Sequence, residues 1–157
     1  MRRKDREVKD INEILRIMKD CDDVVLAFND ESYPYILAVN FGVSENGGEI
    51  TLYIHGAIEG KKYDYLKDGA AVSFQMSANH KLIMDKERGY CTMNYESIIG
   101  WGEVYELHDY DDKEAALELL VQKYHIPSEK FVYARAAIPM TRVFKISVKE
   151  LTCKAKV

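Results

Sequence analysis

A glycine-rich turn between two strand-like segments is the feature that most limits how this chain can fold. Residues 45–48 read Glu-Asn-Gly-Gly, and segments rich in β-branched and aromatic residues lie on both sides of them, at 35–43 and 50–55. Asparagine and glycine accept the positive φ angles that tight hairpin turns require. The two flanking segments are therefore predicted to pair as neighbouring antiparallel strands.

Four more segments have the composition or the alternation of β-strands, at residues 24–28, 71–76, 91–107 and 142–148. Gly100 and Gly102 lie inside the third of these, where glycine indicates a bend, a bulge or a ligand pressed against the backbone. The charged and irregular segment 80–89 is predicted to be a loop.

Two segments have helical periodicity instead. Residues 8–21 carry apolar side chains at helical spacing, and Asp10 is placed to cap that helix. In residues 111–124 the side chains predicted to face inward are Ala115, Leu119, Leu120 and Tyr124. About six strands with two or three helices, and no regular strand–helix alternation, predict a mainly β (α+β) fold in which an antiparallel barrel carries added helices.

The length of 157 residues fits one domain. It is predicted to comprise a helical N-terminus at 8–21, a barrel at about 23–107 and 131–153, and a helix at 111–124. The net charge of −4 argues against a general nucleic-acid binder. No apolar run has signal-peptide character or the roughly 18 residues that a membrane span needs, so a cytoplasmic location is expected.

Cysteine and histidine spacing gives no framework for disulfides or metal. The cysteines are odd in number and far apart, which agrees with a reducing compartment, and the histidines show no paired spacing. No metal site is therefore predicted. The residues concerned are Cys21, Cys91, Cys153, His55, His80, His108 and His125.

A pair of lysines after the third strand is the first candidate binding feature. Lys61 and Lys62 follow Gly60 and precede residues with roughly helical spacing, so they are predicted to lie in the first turn of a short helix. Lysine meets like charge there, and a bound phosphate would supply the missing negative charge. A solvated basic turn is the alternative explanation of this segment.

Five segments, in order along the chain, resemble a known family. They are YPYILAVNFG (its proline at 34), LYIHGAIEGKKYDYL (52–66), VSFQM (72–76), YESIIGWGEV (95–104) and RVFKISVKELTCKA (142–155). The chain resembles the FMN-binding split-barrel proteins of the pyridoxamine 5′-phosphate oxidase-like group. Within that group it resembles the nitroimidazole-resistance (Nim-type) branch, with similarity over nearly the whole sequence. The resemblance implies a split antiparallel β-barrel and FMN as cofactor.

The resemblance also implies roles for individual residues. Lys61 and Lys62 match the basic pair on the FMN phosphate, and Ser97 matches a serine near that phosphate. His55 matches a histidine that faces the reactive side of the flavin, which makes it the candidate catalytic residue. The remaining positions implied to border the ring are Ala38, Val39, Asn40, Gly56 and Ala57. The chain lacks the Arg-Trp ending of the oxidase proper, so oxidation of vitamin B6 is not expected.

Two functions of different classes follow from this resemblance. The first is an FMN-dependent oxidoreductase that reduces a small oxidised molecule, with nitroimidazoles and nitroaromatics as candidates. The second is a non-catalytic module that holds flavin or haem, and a barrel that acts only as a structural dimer partner is a weaker third. A flavin carries its own redox chemistry, so the absence of an acid–base dyad in the sequence fits the first two.

A homodimer with flavin sites at the subunit interface is also implied by the resemblance. The sequence agrees in that the segment 35–41 is apolar on both faces, which suits burial on both sides. The expected partners are a second copy of this chain, a small-molecule substrate and a reduced electron donor of unknown identity.

Overall fold

The computed structural model describes residues 3–125 and 132–157, and in them an antiparallel sheet surrounds the core. Residue 131, the predicted start of the second barrel segment, lies outside the described residues. The strands and helices run in the order β1 (Glu7–Val8), α1 (Ile11–Asp20), β2 (Val24–Phe28), β3 (Tyr35–Val39), β4 (Gly42–Asn46), β5 (Glu49–Gly56), β6 (Ala70–Asp85), β7 (Tyr90–Leu107), α2 (Tyr110–Tyr124) and β8 (Arg142–Lys156).

The eight strands curl into a barrel that hydrogen bonds do not close. The strand order is β3-β2-β6-β7-β8-β5-β4, and β1 pairs with β8. The edge strands β3 and β4 are consecutive in the chain and are separated only by residues 40 and 41. Three residue steps span at most about 11 Å, so the two edges must lie close together. The predicted split barrel is confirmed, with eight strands instead of about six.

Inward-facing side chains of these strands form the main core. Val24, Leu26 and Phe28 alternate with less buried residues along β2, and the same alternation continues in β5. The helix α1 adds a buried face to this core, and the predicted Asp10 cap accepts hydrogen bonds from the amides of residues 12 and 13. The larger fully buried side chains include Phe41, Phe74, Phe144, Ile54, Ile98 and Ile146.

A second apolar cluster lies between α2 and the start of β8. Its buried members are Ala116, Leu117, Leu120, Ile138 and Val143. The predicted bounds of α2 differ from the observed ones by one residue. Of the side chains predicted to face inward only Leu120 is buried, because the apolar face of the helix is centred on 116, 117 and 120.

The segment 35–43 is two strands and not one. The chain leaves the ladder at residues 40 and 41, where the Phe41 amide donates to the Tyr124 hydroxyl at 3.1 Å and the Phe41 ring is buried. The strand therefore breaks where α2 supplies the hydrogen-bond partner.

The predicted loop at 80–89 is wrong for residues 80–85 and correct for 86–89, which form the turn between β6 and β7. Residues up to Asp85 continue β6 and pair with β7, from Lys81 opposite Asn94 to Asp85 opposite Tyr90. A bulge at Asn79, with φ of 56°, precedes this two-stranded ribbon. The ribbon is exposed to water, so its charged residues are hydrated while backbone hydrogen bonds between its two strands hold its shape.

The strand β8 is longer than the predicted 142–148, because pairing with β7 and β1 continues to its C-terminal end. Of the three alternatives predicted for Gly100 and Gly102, the structure shows the bulge, as a shift of register between Trp101 and Gly102. No helix in the described parts of the chain is long and apolar enough to cross a bilayer.

Candidate functional site

The end of β5 brings several predicted site residues beside the start of β8. His55 lies opposite Val143 and Gly56 opposite Arg142 in the antiparallel ladder. The chain then turns through residues 57–60 into a single 3₁₀ turn, Lys61–Asp64. The predicted helix at the lysines is therefore wrong: four residues of 3₁₀ turn are too short for the dipole of an α-helix to act. The helical spacing that suggested it came from Leu66 and Ala70, but the chain there runs into β6, which begins at Ala70.

Gly56 has space for no side chain, because the following turn folds back onto it. A Cβ atom there would overlap the Lys62 ammonium group and lie 2.7 Å from the Tyr63 hydroxyl. That hydroxyl donates a hydrogen bond to the Ala57 carbonyl. The strand end and the 3₁₀ turn are therefore held together, and Lys62 is placed directly over the glycine.

Arg142 lies beside the same turn, although its only signal in the sequence was its place at the start of the predicted strand 142–148. Its guanidinium lies 4.0 Å from the centre of the Tyr63 ring, and Tyr63 stacks on Phe144 at 5.8 Å. It also donates two hydrogen bonds to the Glu106 carboxylate, at 2.8 and 2.5 Å. This pairing raises the pKa of Arg142 and lowers that of Glu106. The charge of Arg142 is thus already balanced within the protein.

The two lysines are different, because no carboxylate lies within 4.0 Å of either ammonium group in residues 3–125 and 132–157. Lys61 Nζ lies 5.7 Å from the centre of the Tyr35 ring, and Lys62 Nζ lies 5.4 Å from that of Tyr63. Two unpaired ammonium groups in adjacent residues match the donors that a phosphate dianion needs. The two lysines can therefore bind a phosphate group without any contribution from a helix dipole.

The ring of His55 is exposed, and its pKa is lowered. Loss of hydration beside neighbouring protein atoms is the larger cause, and the positive charge of Lys62 is the second. The imidazole is therefore neutral at pH 7, with one nitrogen able to donate a hydrogen bond and the other able to accept one. This state favours hydrogen bonding to a ligand over delivery of a proton.

A cavity of about 580 Å³ opens beside His55 and extends under α2. Asn40, at the break between β3 and β4, lines it together with His55, so two of the predicted ring-side residues meet at its wall. The other lining residues come from α2 and the segment before β8: Leu117, Leu120, Val121, Tyr124, Tyr133, Ala137, Ile138 and Thr141.

Ala38 and Ser97 lie elsewhere, on the outer face of the sheet. Ala38 pairs with Val25, Val25 with Gln75, and Gln75 with Ile99, which is two residues from Ser97 on β7. Val39 points the other way, into the core. On β7, Ser97 precedes Leu107 by ten residues, about 33 Å along an extended strand. Leu107 lies opposite Val143 of β8, and Val143 lies opposite His55 of β5, so Ser97 is far along the strand from the level of His55.

The predicted residues thus form two groups in one chain. The first comprises the β5 turn with the lysines and, across the cavity, Asn40. The second is the outer face with Ala38 and Ser97, where Ile36, Ile99 and Trp101 are 60%, 52% and 44% exposed. Lys61 contacts Tyr35 on β3, but Tyr35 lies on the inward face of that strand with Val39 and not on the outer face with Ala38.

Comparison with known proteins agrees with this architecture. A protein proposed to confer 5-nitroimidazole antibiotic resistance, from Bacteroides thetaiotaomicron, superposes with a TM-score of 0.78 at 29% identity, over 94% of this chain and 85% of that one. The flavocytochrome Anf3 from Azotobacter vinelandii gives 0.73 at 19% identity, over 96% and 69%. The FAD and heme binding protein from Mycobacterium smegmatis gives 0.78 at 16%, over 96% and 73%.

No curated protein matches the sequence significantly. The sequence model of the family described as pyridoxamine 5′-phosphate oxidase matches residues 10–155, almost the entire chain. The predicted resemblance is confirmed at this level, since the family match and the split barrel agree with each other. The chain belongs to the pyridoxamine 5′-phosphate oxidase family.

Proposed function

We propose that this protein is an FMN-dependent oxidoreductase that reduces a small oxidised molecule, with nitroimidazoles and other nitroaromatics as candidates. The observation that carries the proposal is the pair of lysines after the β5 turn, neither of which forms an ion pair within the described residues: Lys62 packs against Gly56 and its charge reaches His55, and His55 lines the cavity. Family membership and the 29% identity to the Bacteroides protein support it. When bound, the flavin would accept electrons from a donor and pass them to the substrate.

In this proposal the chain's own residues bind and orient. Lys61 and Lys62 hold the phosphate by charge-assisted hydrogen bonds, each contributing roughly 1.5–3 kcal/mol. The ring lies against the backbone of Ala38, Val39 and Asn40 and of the turn His55, Gly56 and Ala57, with Ser97 as a further phosphate contact. The flat flavin ring needs a narrow slot beside a strand end that has no bulky side chain, and Gly56 supplies such a strand end.

We also propose that two copies of the chain share these sites. Ser97 lies on the outer face of β7, ten residues along that strand from the level of His55, and the lysines follow the end of β5, so in the proposed dimer the flavin contacts Ser97 of one protomer and the lysines of the other. The exposed apolar side chains Ile36, Ile99 and Trp101 surround the Ala38 and Ser97 positions and would be covered in such a dimer. Sedimentation should give twice the chain mass of 18.1 kDa, and a stable monomer at micromolar concentration would contradict shared sites.

A flavin- or haem-binding module without turnover is the second candidate. The lowered pKa of His55 favours it, because a histidine that is neutral at pH 7 is a weak proton donor. The absorbance spectrum of the purified protein separates the cofactors, since a flavin gives its yellow absorption bands and a haem gives a Soret band.

Turnover is tested by mixing the reduced flavoprotein with a nitroimidazole and following flavin reoxidation. His55→Ala should slow it by about tenfold, the loss of one hydrogen bond to the substrate, while His55→Gln should keep most of the rate. His80→Ala, at an exposed histidine on the ribbon, is the control. A Gln variant as slow as the Ala variant would assign proton transfer to His55. No reoxidation by any nitro compound would favour the binding module.

A further inference from the structure

We propose that the cavity between α2 and the end of β5 binds an uncharged, mainly apolar molecule whose single polar end points at Asn40 and His55. The inference rests on the proposed function, and it names the substrate class of that reductase. The volume of about 580 Å³ lies within the range of about 300–1,000 Å³ found for small-molecule sites.

The described walls of the cavity carry no charged side chain. The ten described residues that line the cavity include no aspartate, glutamate, lysine or arginine. His55, the one titratable base among them, is neutral at pH 7 because its pKa is lowered. A cation would lose hydration there without gaining a counter-charge, which is costly. Lys62 is not part of the lining but its charge reaches His55, and in the proposed flavoprotein the flavin phosphate neutralises that charge, so an anion gains no counter-charge either. Leu117, Leu120, Val121 and Ile138 instead offer aliphatic surface to an uncharged ligand.

The polar side chains in the cavity wall differ in whether they already form hydrogen bonds within the protein. Three hydroxyl groups in the wall already donate within the protein: Tyr124 to the Asp22 carbonyl at 2.7 Å, Tyr133 to the Leu117 carbonyl at 2.9 Å, and Thr141 to the Ala137 carbonyl at 3.0 Å. These groups hold α2, the segment before β8 and the barrel together. They are therefore poorly placed to select a ligand.

Asn40 and His55 differ from those hydroxyl groups. In the part of the chain that the structure describes, neither side chain has a hydrogen bond or an ion pair to another residue. Both belong to the β side of the cavity, where the sequence resemblance places the flavin ring. A bound molecule would therefore bury its apolar body under α2 and turn its polar, reducible group toward Asn40 and His55, that is, toward the proposed flavin.

The charge preference can be tested with three nitrobenzenes that differ in one substituent. Equilibrium dialysis against the purified protein would compare 4-nitrotoluene, 4-nitrobenzoate and 4-nitrobenzylamine. The neutral compound should bind at least about tenfold more tightly than either ion, because each ion must leave water for walls whose described residues carry no charge. Equal or tighter binding of an ion would overturn the proposed ligand class.

The location is tested by filling the cavity. Ala137→Phe places a ring in the lined space, whereas Ala136→Phe places the same ring on the neighbouring exposed residue outside it. The first should weaken binding of the neutral probe by about tenfold or more, and the second should leave it unchanged. If Ala137→Phe does not fold, Val121→Trp on the α2 wall replaces it. Equal affinity in the filled and control variants would overturn the site.

Flavin content measured in the same samples separates this inference from the proposed function. If the protein contains no flavin but the cavity-filling variant still binds the neutral probe more weakly, the pocket is supported and the reductase proposal is refuted. If the protein contains flavin and reduces nitro compounds equally fast with a filled cavity, the reductase proposal is supported and the pocket is refuted.

Discussion

The basic side chains at two places on this barrel, Arg16 on α1 and the lysine pair after β5, differ in what they contact. Arg16 on α1 bonds Glu13 at 2.8 Å, Asp20 at 2.6 Å and Glu96 at 2.5 Å, and Glu96 also accepts from Asn79. These bonds raise the pKa of Arg16, Glu13 being the largest cause and Glu96 the next. At the other site, no carboxylate lies within 4.0 Å of Lys61 or Lys62 among residues 3–125 and 132–157, and the two lysines lie against aromatic rings and Gly56.

The difference separates a structural charge from one that is available to a ligand. Glu96 is 3% exposed, so its carboxylate depends on Arg16 and Asn79 for compensation inside the protein. Neither lysine forms an ion pair within the described residues. Lys61 acts only weakly on Asp30, whose pKa is lowered chiefly by the hydrogen bond from Tyr65 and least by the charge of Lys61. A phosphate would meet two free ammonium groups at the lysines, and at Arg16 it would have to displace three carboxylates.

The largest expected effect is on stability at Arg16. Arg16→Ala should lower the free energy of unfolding by about 2–3 kcal/mol, less than the roughly 3–5 kcal/mol of a fully buried pair because the arginine is partly exposed. Urea denaturation measures it. Lys61→Ala, the matched control, should change stability by less than about 0.5 kcal/mol. A loss at Lys61 as large as that at Arg16 would remove the distinction between the two sites.

The second expected effect is on flavin affinity at the lysines. Lys62→Ala should weaken FMN binding by about 10- to 150-fold, the loss of one charge-assisted hydrogen bond, and Lys61→Ala should weaken it less. Titration by flavin fluorescence quenching measures both. Arg16→Ala should leave the affinity unchanged in the protein that remains folded. Unchanged affinity in the Lys61 and Lys62 double variant would refute the phosphate assignment.

A smaller effect is expected from moving Lys62 without removing its charge. Gly56→Ala inserts a methyl group where the ammonium now lies and 2.7 Å from the Tyr63 hydroxyl, so the flexible lysine end moves away and Tyr63 must also shift. FMN affinity should fall several-fold, less than in Lys62→Ala. The test is a double-mutant cycle: in the Lys62→Ala background, Gly56→Ala should have no further effect. Additive losses would show that the glycine acts independently of the lysine.

The smallest effect is the pH response of His55. Its lowered pKa means that the folded state binds this proton less readily than the unfolded state, so the contribution to stability is full above about pH 6.5 and is lost as pH falls through the lowered value. Part of the shift comes from Lys62. NMR titration should therefore find a higher His55 pKa in Lys62→Ala and no change in Arg16→Ala. Identical values in all three proteins would disprove the electrostatic contact.

Local signals in the sequence predicted the elements that depend on neighbouring residues. The Asp10 cap, the Gly47–Gly48 hairpin turn and the bounds of β2 and α2 depend on groups within a few positions of one another, and all are found in the structure. The basic pair at 61 and 62 was also recognisable, although the helix predicted around it is a 3₁₀ turn. Its value as a phosphate site depends on which carboxylates are absent nearby, and spacing along the chain does not report that.

Tertiary structure decided what depends on distant partners. The ribbon at 80–94 is stabilised by backbone pairing across the hairpin, so its charged composition misled the prediction of a loop. The Arg142, Tyr63 and Phe144 stack joins residues about 80 positions apart, and the break at Asn40 exists because Tyr124 of α2 binds the Phe41 amide. Sequence alone therefore determined an antiparallel barrel with a basic turn after β5. Chain folding decided which side chains surround that turn, because long-range pairing and burial, not local propensity, select its neighbours.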